Sequence, residues 1–298
     1  MEVTPSAARL REATEHARRE GHEVGFVPTM GALHAGHARL LETARRECGF
    51  VAASIFINPL QFGPAEDLAA YPRPIEQDEE TARSLGVDLL FRPDEGELYP
   101  NGRPAVMVDP GPVGDRLEGE SRPGHFAGVL TVVAKLFHLI GPARAYFGEK
   151  DAQQLALVRR MVRDLDMATT VVGIPTVRET DGLALSSRNA YLGPEERAVA
   201  PVLFEALSDV ATLARSGERD ADRLRAELAR TIGAQPLAKL DYAAIVDDET
   251  WEDVRVITRP ARALVAARIG PARLIDNLLL PGPADPNVQN RAEPEPED

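Results

Sequence analysis

The run Pro28-Thr29-Met30-Gly31-Ala32-Leu33-His34-Ala35-Gly36-His37 constrains this chain more than any other stretch. Before it, Glu23-Val24-Gly25-Phe26-Val27 has the apolar continuity of a short buried strand. After it, Ala38 to Arg46 carries Leu40, Leu41 and Ala44 at helical spacing. The ten residues are therefore a strand-to-helix turn, where open α/β sheets place their ligands because backbone N–H groups and the helix dipole meet there. Gly31 and Gly36 let the backbone bend and approach a bulky polyphosphate. His34 and His37, three apart, fall on one face of a helical turn and can donate hydrogen bonds to phosphate oxygens. A polar surface turn and a pair of metal ligands are the competing readings. The strand, the helix and the two flanking glycines favour phosphate binding over both.

The rest of the chain continues the same alternation. Residues 6–19 read as an amphipathic helix capped by Ser6, with Leu10, Ala13 and Ala17 inward. Val51–Ile57 is a second buried strand, leaving through Asn58-Pro59-Leu60-Gln61. Ala65–Tyr71 reads as a short helix, and Ile75–Leu85 as an acidic one whose carboxylates form a solvated face. Strands follow at 87–91, at Ala145–Phe147 and at Thr170–Ile174, with a weaker candidate at Val106–Val108. A long apolar helix spans Val129–Ile140, preceded by the cationic, glycine-containing loop Arg116–Phe126, which is either a mobile cover or a plain connection. The helix after Gly148-Glu149-Lys150-Asp151 carries Leu155, Val158, Val162 and Leu165. Gln153 and Gln154 lie in its first turn, so one can face a site and the other solvent. These units predict an α/β class, a Rossmann-like, mostly parallel sheet with helices on both faces.

Past Val177 the pattern changes. One helix is expected from Pro194 to about Arg215 and another over Asp220–Ile232, then strands at Asp241–Val246, Arg262–Ile269 and Ala272–Leu280, the last two joined by Gly270-Pro271. This predicts a smaller C-terminal α+β domain with antiparallel strands. The expected division is 1–175 for the nucleotide-binding domain, 176–280 for a C-terminal lid domain, and 281–298 for a proline-rich acidic tail, disordered by composition.

Composition limits the function. A net charge of −13 argues against a nucleic-acid backbone as main partner, though anionic small substrates remain possible where cations are concentrated. No apolar run approaches a membrane span, and the first residues lack a basic-then-apolar leader, so a cytoplasmic protein with no membrane partner is expected. The single Cys48 excludes an internal disulfide and a cysteine metal cluster, and its place between a helix and a strand suits a structural thiol. Of the 34 cationic residues only Lys135, Lys150 and Lys239 are lysine. Where arginine is so strongly preferred, a lysine in a strand-exit turn, Lys150, is a candidate phosphate ligand.

Three polar turns thus fall at strand ends: His34–His37, Asn58–Gln61 and Gly148–Asp151. In a parallel sheet they open on one edge. Asn58 alone reads as turn chemistry. His34, His37, Lys150 and, from the Ser186-Ser187-Arg188-Asn189 turn, Arg188 supply cations for ATP. Asp151 suits a ribose hydroxyl or Mg²⁺ carried on phosphate. Displacement at phosphorus needs positioning and charge stabilisation rather than a protein nucleophile. The residues alone reach an ATP-using enzyme acting at the α-phosphate, without naming the acid or the amine.

The same landmarks carry a resemblance. The first motif resembles the His-x-Gly-His signature of the nucleotidyltransferase superfamily, and its longer wording is similar to that of the pantoate–β-alanine ligases. Phe56–Gly63, Tyr71-Pro72-Arg73, His125–Val133, Phe147–Asp151 with Gln153-Gln154, Pro175–Glu179 and Ser186–Asn189 resemble that family's blocks in the same order, over roughly Ser6–Leu280. The resemblance implies Mg²⁺-dependent condensation of pantoate with β-alanine through pantoyl adenylate, releasing AMP and pyrophosphate, in a cytoplasmic homodimer. It implies that Met30, Gly31, Ala32, Leu33, His34, Ala35, Gly36 and His37 bind ATP, with His37 as proton donor. Gly148, Glu149, Lys150, Asp151, Val177, Leu185, Ser186, Ser187 and Arg188 complete the nucleotide site. Gln61 contacts pantoate and β-alanine, and Gln154 contacts pantoate; the residues holding Mg²⁺ are not specified. Ala152 stands where an aromatic is common and Leu185 where methionine is common. The alternative reaction is an adenylyltransferase moving AMP onto a phosphate-bearing acceptor, which would need a second cationic pocket.

Overall fold

The computed structural model describes residues 1–63, 68 and 71–283. The short helix expected from Ala65 and nearly all of the expected tail lie outside the described residues. The chain divides into two compact units, Met1–Val177 with Leu185–Ser187, and Arg178–Ala184 with the residues from Arg188 on.

The first unit is built on a six-stranded sheet, β1 (Glu2–Thr4), β2 (Val24–Thr29), β3 (Phe50–Ile55), β4 (Leu89–Phe91), β5 (Ala143–Gly148) and β6 (Thr169–Ile174), in the order β1-β4-β3-β2-β5-β6. Every pairing in it is parallel. Helices α1 (Ala7–Arg19), α2 (Ala35–Glu47), α3 (Ile75–Ser84), α4 (Glu95–Leu98), α5 (Glu118–Ser121), α6 (His125–Ile140) and α7 (Ala152–Asp164) make the crossovers and connections. The strand period of two sorts the core. Phe26, Ala52, Leu89, Phe91 and Ala145 pack with α1, α6 and α7, while Val27, Val51, Ala53, Leu90 and Tyr146 pack with α2 and α3. Gly25 belongs to the second face, where a side chain would press on Cys48 and Ala44. Leu41, fully buried there, contributes about 1.5–3 kcal/mol by its transfer from water.

Several sequence expectations change in detail. β1, three residues long with two of them exposed, is too short to show a period. Val106–Val108 is not a strand; Val106 is strongly exposed, while Val108 packs against the core with its N–H donated to the Thr131 hydroxyl instead of to a neighbouring strand. Leu165 ends α7 at its C-cap and stands out in solvent.

The second unit packs α8 (Pro194–Val199), α9 (Val202–Arg215) and α10 (Ala221–Gly233) with an antiparallel sheet of β7 (Ala238–Asp247), β8 (Ala261–Ile269) and β9 (Ala272–Leu280), in that order. The single helix expected from Pro194 is two, because Pro201 has no N–H to continue the ladder and becomes the N-cap of α9. Gly270, at φ 55°, makes the β8–β9 turn.

Candidate active site

Strand order sets where a site can form. The chain steps from β2 to β3 and β4 on one side, then crosses to β5 and β6 on the other. The crevice at the carboxyl ends of β2 and β5 is therefore the topological switch point of the sheet. The three polar turns leave β3, β2 and β5, adjacent and parallel, so Asn58–Gln61 and Gly148–Asp151 flank His34–His37 on one edge. His37 and Lys150 share that edge.

The β2 exit is a tight turn with two consecutive left-handed residues, Gly31 at φ 84° and Ala32 at φ 51°. Gly31 N–H donates to Thr29 Oγ1 at 3.1 Å. The N–H groups of Ala32 and Leu33 donate to the carboxyl oxygens of Asp78 at 2.8 and 2.7 Å. The expectation that this turn meets an anion through its backbone N–H groups therefore needs correcting: Asp78 already engages two of them. Nor is Asp78 part of a solvated face, as the acidic run of α3 suggested. It is 1% exposed, beneath the turn. A buried N–H left without an acceptor costs on the order of 1–3 kcal/mol, so the contact is a strong local constraint.

Two histidines then open α2 as a capping box. His34, the N-cap, accepts Gly36 N–H at Nδ1 (3.1 Å), and His37 accepts His34 N–H at Nδ1 (3.3 Å). Since each Nδ1 acts as acceptor, each neutral ring carries its proton on Nε2. A side chain at Gly36 would fall 2.8 Å from the His34 ring, so glycine is needed for His34 to fold back. Burial, and then the charge of Lys150, lower the pKa of His34. For His37, burial first, then His34 and Lys150, push it down to about 3, with Asp151 opposing in part. Both rings are thus uncharged donors at neutral pH.

The turn after β3 carries the second wall. Asn58 is buried, accepts Tyr99 O–H at 2.9 Å, and donates from Nδ2 to Gln61 Oε1 and Gly128 O, both at 3.1 Å. The Gln61 amide in turn donates to Met30 Sδ at 3.1 Å. His125 donates from Nδ1 to Gln61 O at 2.8 Å, which leaves Nε2 to accept from Arg122 at 3.0 Å. Asn58, read as mere turn chemistry, therefore orients Gln61, and neither His125 nor Arg122 was anticipated in that task. The Arg116–Phe126 loop is not featureless: α5 and the first two residues of α6 lie within it, with Glu118 and His125 buried.

On the third wall Lys150, mostly buried, lies 3.6 Å from Asp151. Gln153 does not face solvent. It is buried, donates to Val113 O and Arg116 O, and accepts Glu118 N–H. Gln154 is half-buried. Val177 accepts Leu185 N–H at 3.0 Å, and Leu185, Ser186 and Ser187 group with the first unit. Arg188 lies in the second, on the 3₁₀ turn Ser187–Tyr191.

Residues 2–279 match the pantoate–β-alanine ligase family. The chain belongs to that family. It is accordingly a ligase, and its relatives span it almost end to end. Pantothenate synthetase of Heliobacterium modesticaldum is 51% identical over 274 residues, covering 91% of this chain and 97% of the relative. That of Brucella ovis is 47% identical over 293 residues, covering 98% and 100%. The crystal structure of pantothenate synthetase from Thermus thermophilus has a TM-score of 0.86 at 52% identity, covering 93% of this chain and 99% of that one. The pantoate–β-alanine ligase of Francisella tularensis, a complex with β,γ-ATP and β-alanine, has a TM-score of 0.76 at 35% identity, covering 94% and 97%. A parallel sheet with helices and a three-stranded antiparallel sheet are thus this ligase family's architecture.

Proposed function

We propose that this ligase works through pantoyl adenylate, with ATP held by His34, His37 and Lys150. A pantoate carboxylate oxygen attacks the α-phosphorus, and the bond from that phosphorus to the oxygen of the leaving pyrophosphate breaks. The β-alanine amine then attacks the acyl carbon, the bond to AMP breaks, and the amine gives up its proton. The observation that carries this reading is the pair of neutral imidazoles with Nε2–H donors on the same sheet edge as Lys150. Such donors stabilise charge gathering on phosphate oxygens without first having to be charged themselves. His37 therefore donates from Nε2 while Nδ1 stays tied to the His34 backbone.

The amide of Gln61, held by Asn58 and Met30, suits hydroxyl, carboxylate or amine groups and makes no second phosphate pocket. Gln61 and Gln154 are assigned to the organic substrates, which favours ligation over adenylyl transfer to a phosphate. Gly31, Ala32, Leu33, Ala35 and Gly36 shape the phosphate turn. Gly148, Glu149, Asp151, Val177, Leu185, Ser186, Ser187 and Arg188 are assigned to the nucleotide. Among the described residues no three His, Cys, Asp or Glu side chains form a metal cage. The donor set instead suits Mg²⁺ arriving on triphosphate, which needs few protein oxygens, and Asp151 is the carboxylate beside Lys150 that would supply one. The ion would neutralise phosphate charge. A cytoplasmic homodimer is the expected working form; no described helix is long and apolar enough to cross a membrane.

Carboxyl-¹⁸O pantoate tests the scheme. Label recovered in AMP supports adenylation of the carboxylate, whereas label in inorganic phosphate would replace the adenylate with an acyl phosphate.

A further inference from the structure

The phosphate turn of this ligase has a concave face of the kind that ordinarily collects an anion. Gly31 and Ala32, both left-handed, aim the N–H groups of Ala32 and Leu33 at one point. That point is taken by the protein itself. Asp78 reaches from α3 with Oδ2 on Ala32 N–H (2.8 Å) and Oδ1 on Leu33 N–H (2.7 Å), almost fully out of water. A side chain at Gly31 would come within 2.9 Å of Asp78 Oδ2 and 3.1 Å of Ile55, so the turn and the carboxyl group are fitted to one another.

We infer that Asp78 is a positioning residue for the nucleotide, an internal anion that occupies the turn's nest so that ATP phosphates are excluded from it. The inference rests on the ATP reading of this edge. The turn separates two parts of the site. Met30, before it, accepts from Gln61, and His34, after it, starts the capping box. Fixing Ala32 and Leu33 fixes the spacing between the Gln61 wall and the imidazoles. It also turns two N–H dipoles away from the ligand, which leaves the polyphosphate to Nε2–H of His34 and His37 and to Lys150. A displacement of about 1 Å at such a position can cost on the order of a hundredfold in rate.

The wild-type protein gives the first test. Backbone amide exchange by NMR should find Ala32 and Leu33 slow in the ligand-free protein and unchanged by a non-hydrolysable ATP analogue. Fast exchange without nucleotide, or protection gained only on binding it, would overturn the inference, because the nest would then belong to the ligand. Asp78→Asn is the second test. Its amide keeps one acceptor and opposes the other N–H with a donor. Both amides should become faster-exchanging, and kcat/KM for ATP should fall about tenfold or more while KM for β-alanine stays within about twofold. Ala82→Ser, a buried change on the same helix, serves as the control for destabilisation: it should lower the melting temperature and leave KM for ATP alone. An unchanged kcat/KM for ATP in folded Asp78→Asn, or an equal loss in Ala82→Ser, leaves Asp78 a merely structural group. Failure of the ATP reading is separately visible, as a wild-type protein that makes no AMP from ATP, pantoate and β-alanine.

Discussion

The imidazoles of His34 and His37 lie with centroids 4.2 Å apart and planes tilted by 45°, and each ring accepts a backbone N–H belonging to the same turn. The pair is one unit. Removing either ring releases an N–H that it held, so the effects of the two substitutions will not add. His37→Ala should keep the fold and lose at least about 10²-fold in kcat, the scale for a missing charge-stabilising donor. The double variant with His34→Ala should lose less than the product of the two single losses. Steady-state AMP release, with circular dichroism as the folding control, measures both; near-normal turnover in His37→Ala would remove its assigned role.

The depressed His37 pKa has a sign that can be checked. The folded protein holds this ring neutral down to about 3, whereas an unfolded histidine takes its proton near 6.5. Between those values the unfolded chain binds more protons, so acidification favours unfolding. The contribution is intact above about 6.5 and is lost as pH falls toward about 3, with a slope of at most about 1.4 kcal/mol per pH unit. His37→Gln has no such titration. The stability difference between wild type and variant, from urea unfolding at pH 7 and pH 4.5, should shift against wild type at the lower pH. The ¹³Cε1 resonance of His37 should show no midpoint between pH 5 and 8 in the ligand-free protein.

What was legible in the sequence follows from the range of the interactions involved. The β2–α2 turn, Lys150 and the three strand exits depend on spacing within a few residues, and parallel pairing then carries them to one edge. Asp78 was hidden because its partners, Ala32 and Leu33, lie 46 and 45 positions away in sequence and contribute only backbone N–H groups. Among four neighbouring acids it reads as surface. His125 was hidden likewise, since its partner is the carbonyl of Gln61, 64 residues back. The passage from a parallel to an antiparallel sheet was legible as a change of period, from strand–helix alternation to helices followed by strands. The return of Leu185–Ser187 to the first unit was not, because no local pattern marks it.

In the second unit, Arg178 grips Asp276 with Nη1 and Nη2 of its guanidinium, at 2.6 and 2.9 Å, and lies over the Phe204 ring at 4.0 Å. Asp276 is buried on β9, and Arg178 also donates to Gly182 O at 3.0 Å, so one side chain ties the 178–184 hairpin to the sheet. Lysine cannot reproduce the fork or the stacking. Asp276→Ala, which removes the carboxylate from a half-buried guanidinium, should destabilise by up to about 3 kcal/mol. Arg178→Lys should cost less, and its main signature should be faster hydrogen exchange over residues 178–184. Protection in that hairpin equal to wild type would mean that the turn is held by its own backbone bonds.

The contact of α6 with the β3 exit gives the narrowest prediction. A Cβ at Gly128 would lie 2.2 Å from Leu60 O and 2.7 Å from Gln61 N, both backbone atoms that cannot swing aside. The Gly128 carbonyl also accepts from Asn58, whose amide donates to Gln61 as well. Gly128→Ala must therefore push the Asn58–Gln61 turn away from the helix, with an overpacking cost of about 1–3 kcal/mol. The Gln61 amide would move with it, relative to Met30 and the imidazoles at the start of α2. Calorimetry should record a lower melting temperature, and kinetics a higher KM for pantoate and β-alanine with a smaller change for ATP. Should KM for ATP rise most instead, Gln61 would have to be reassigned from the organic substrates to the nucleotide.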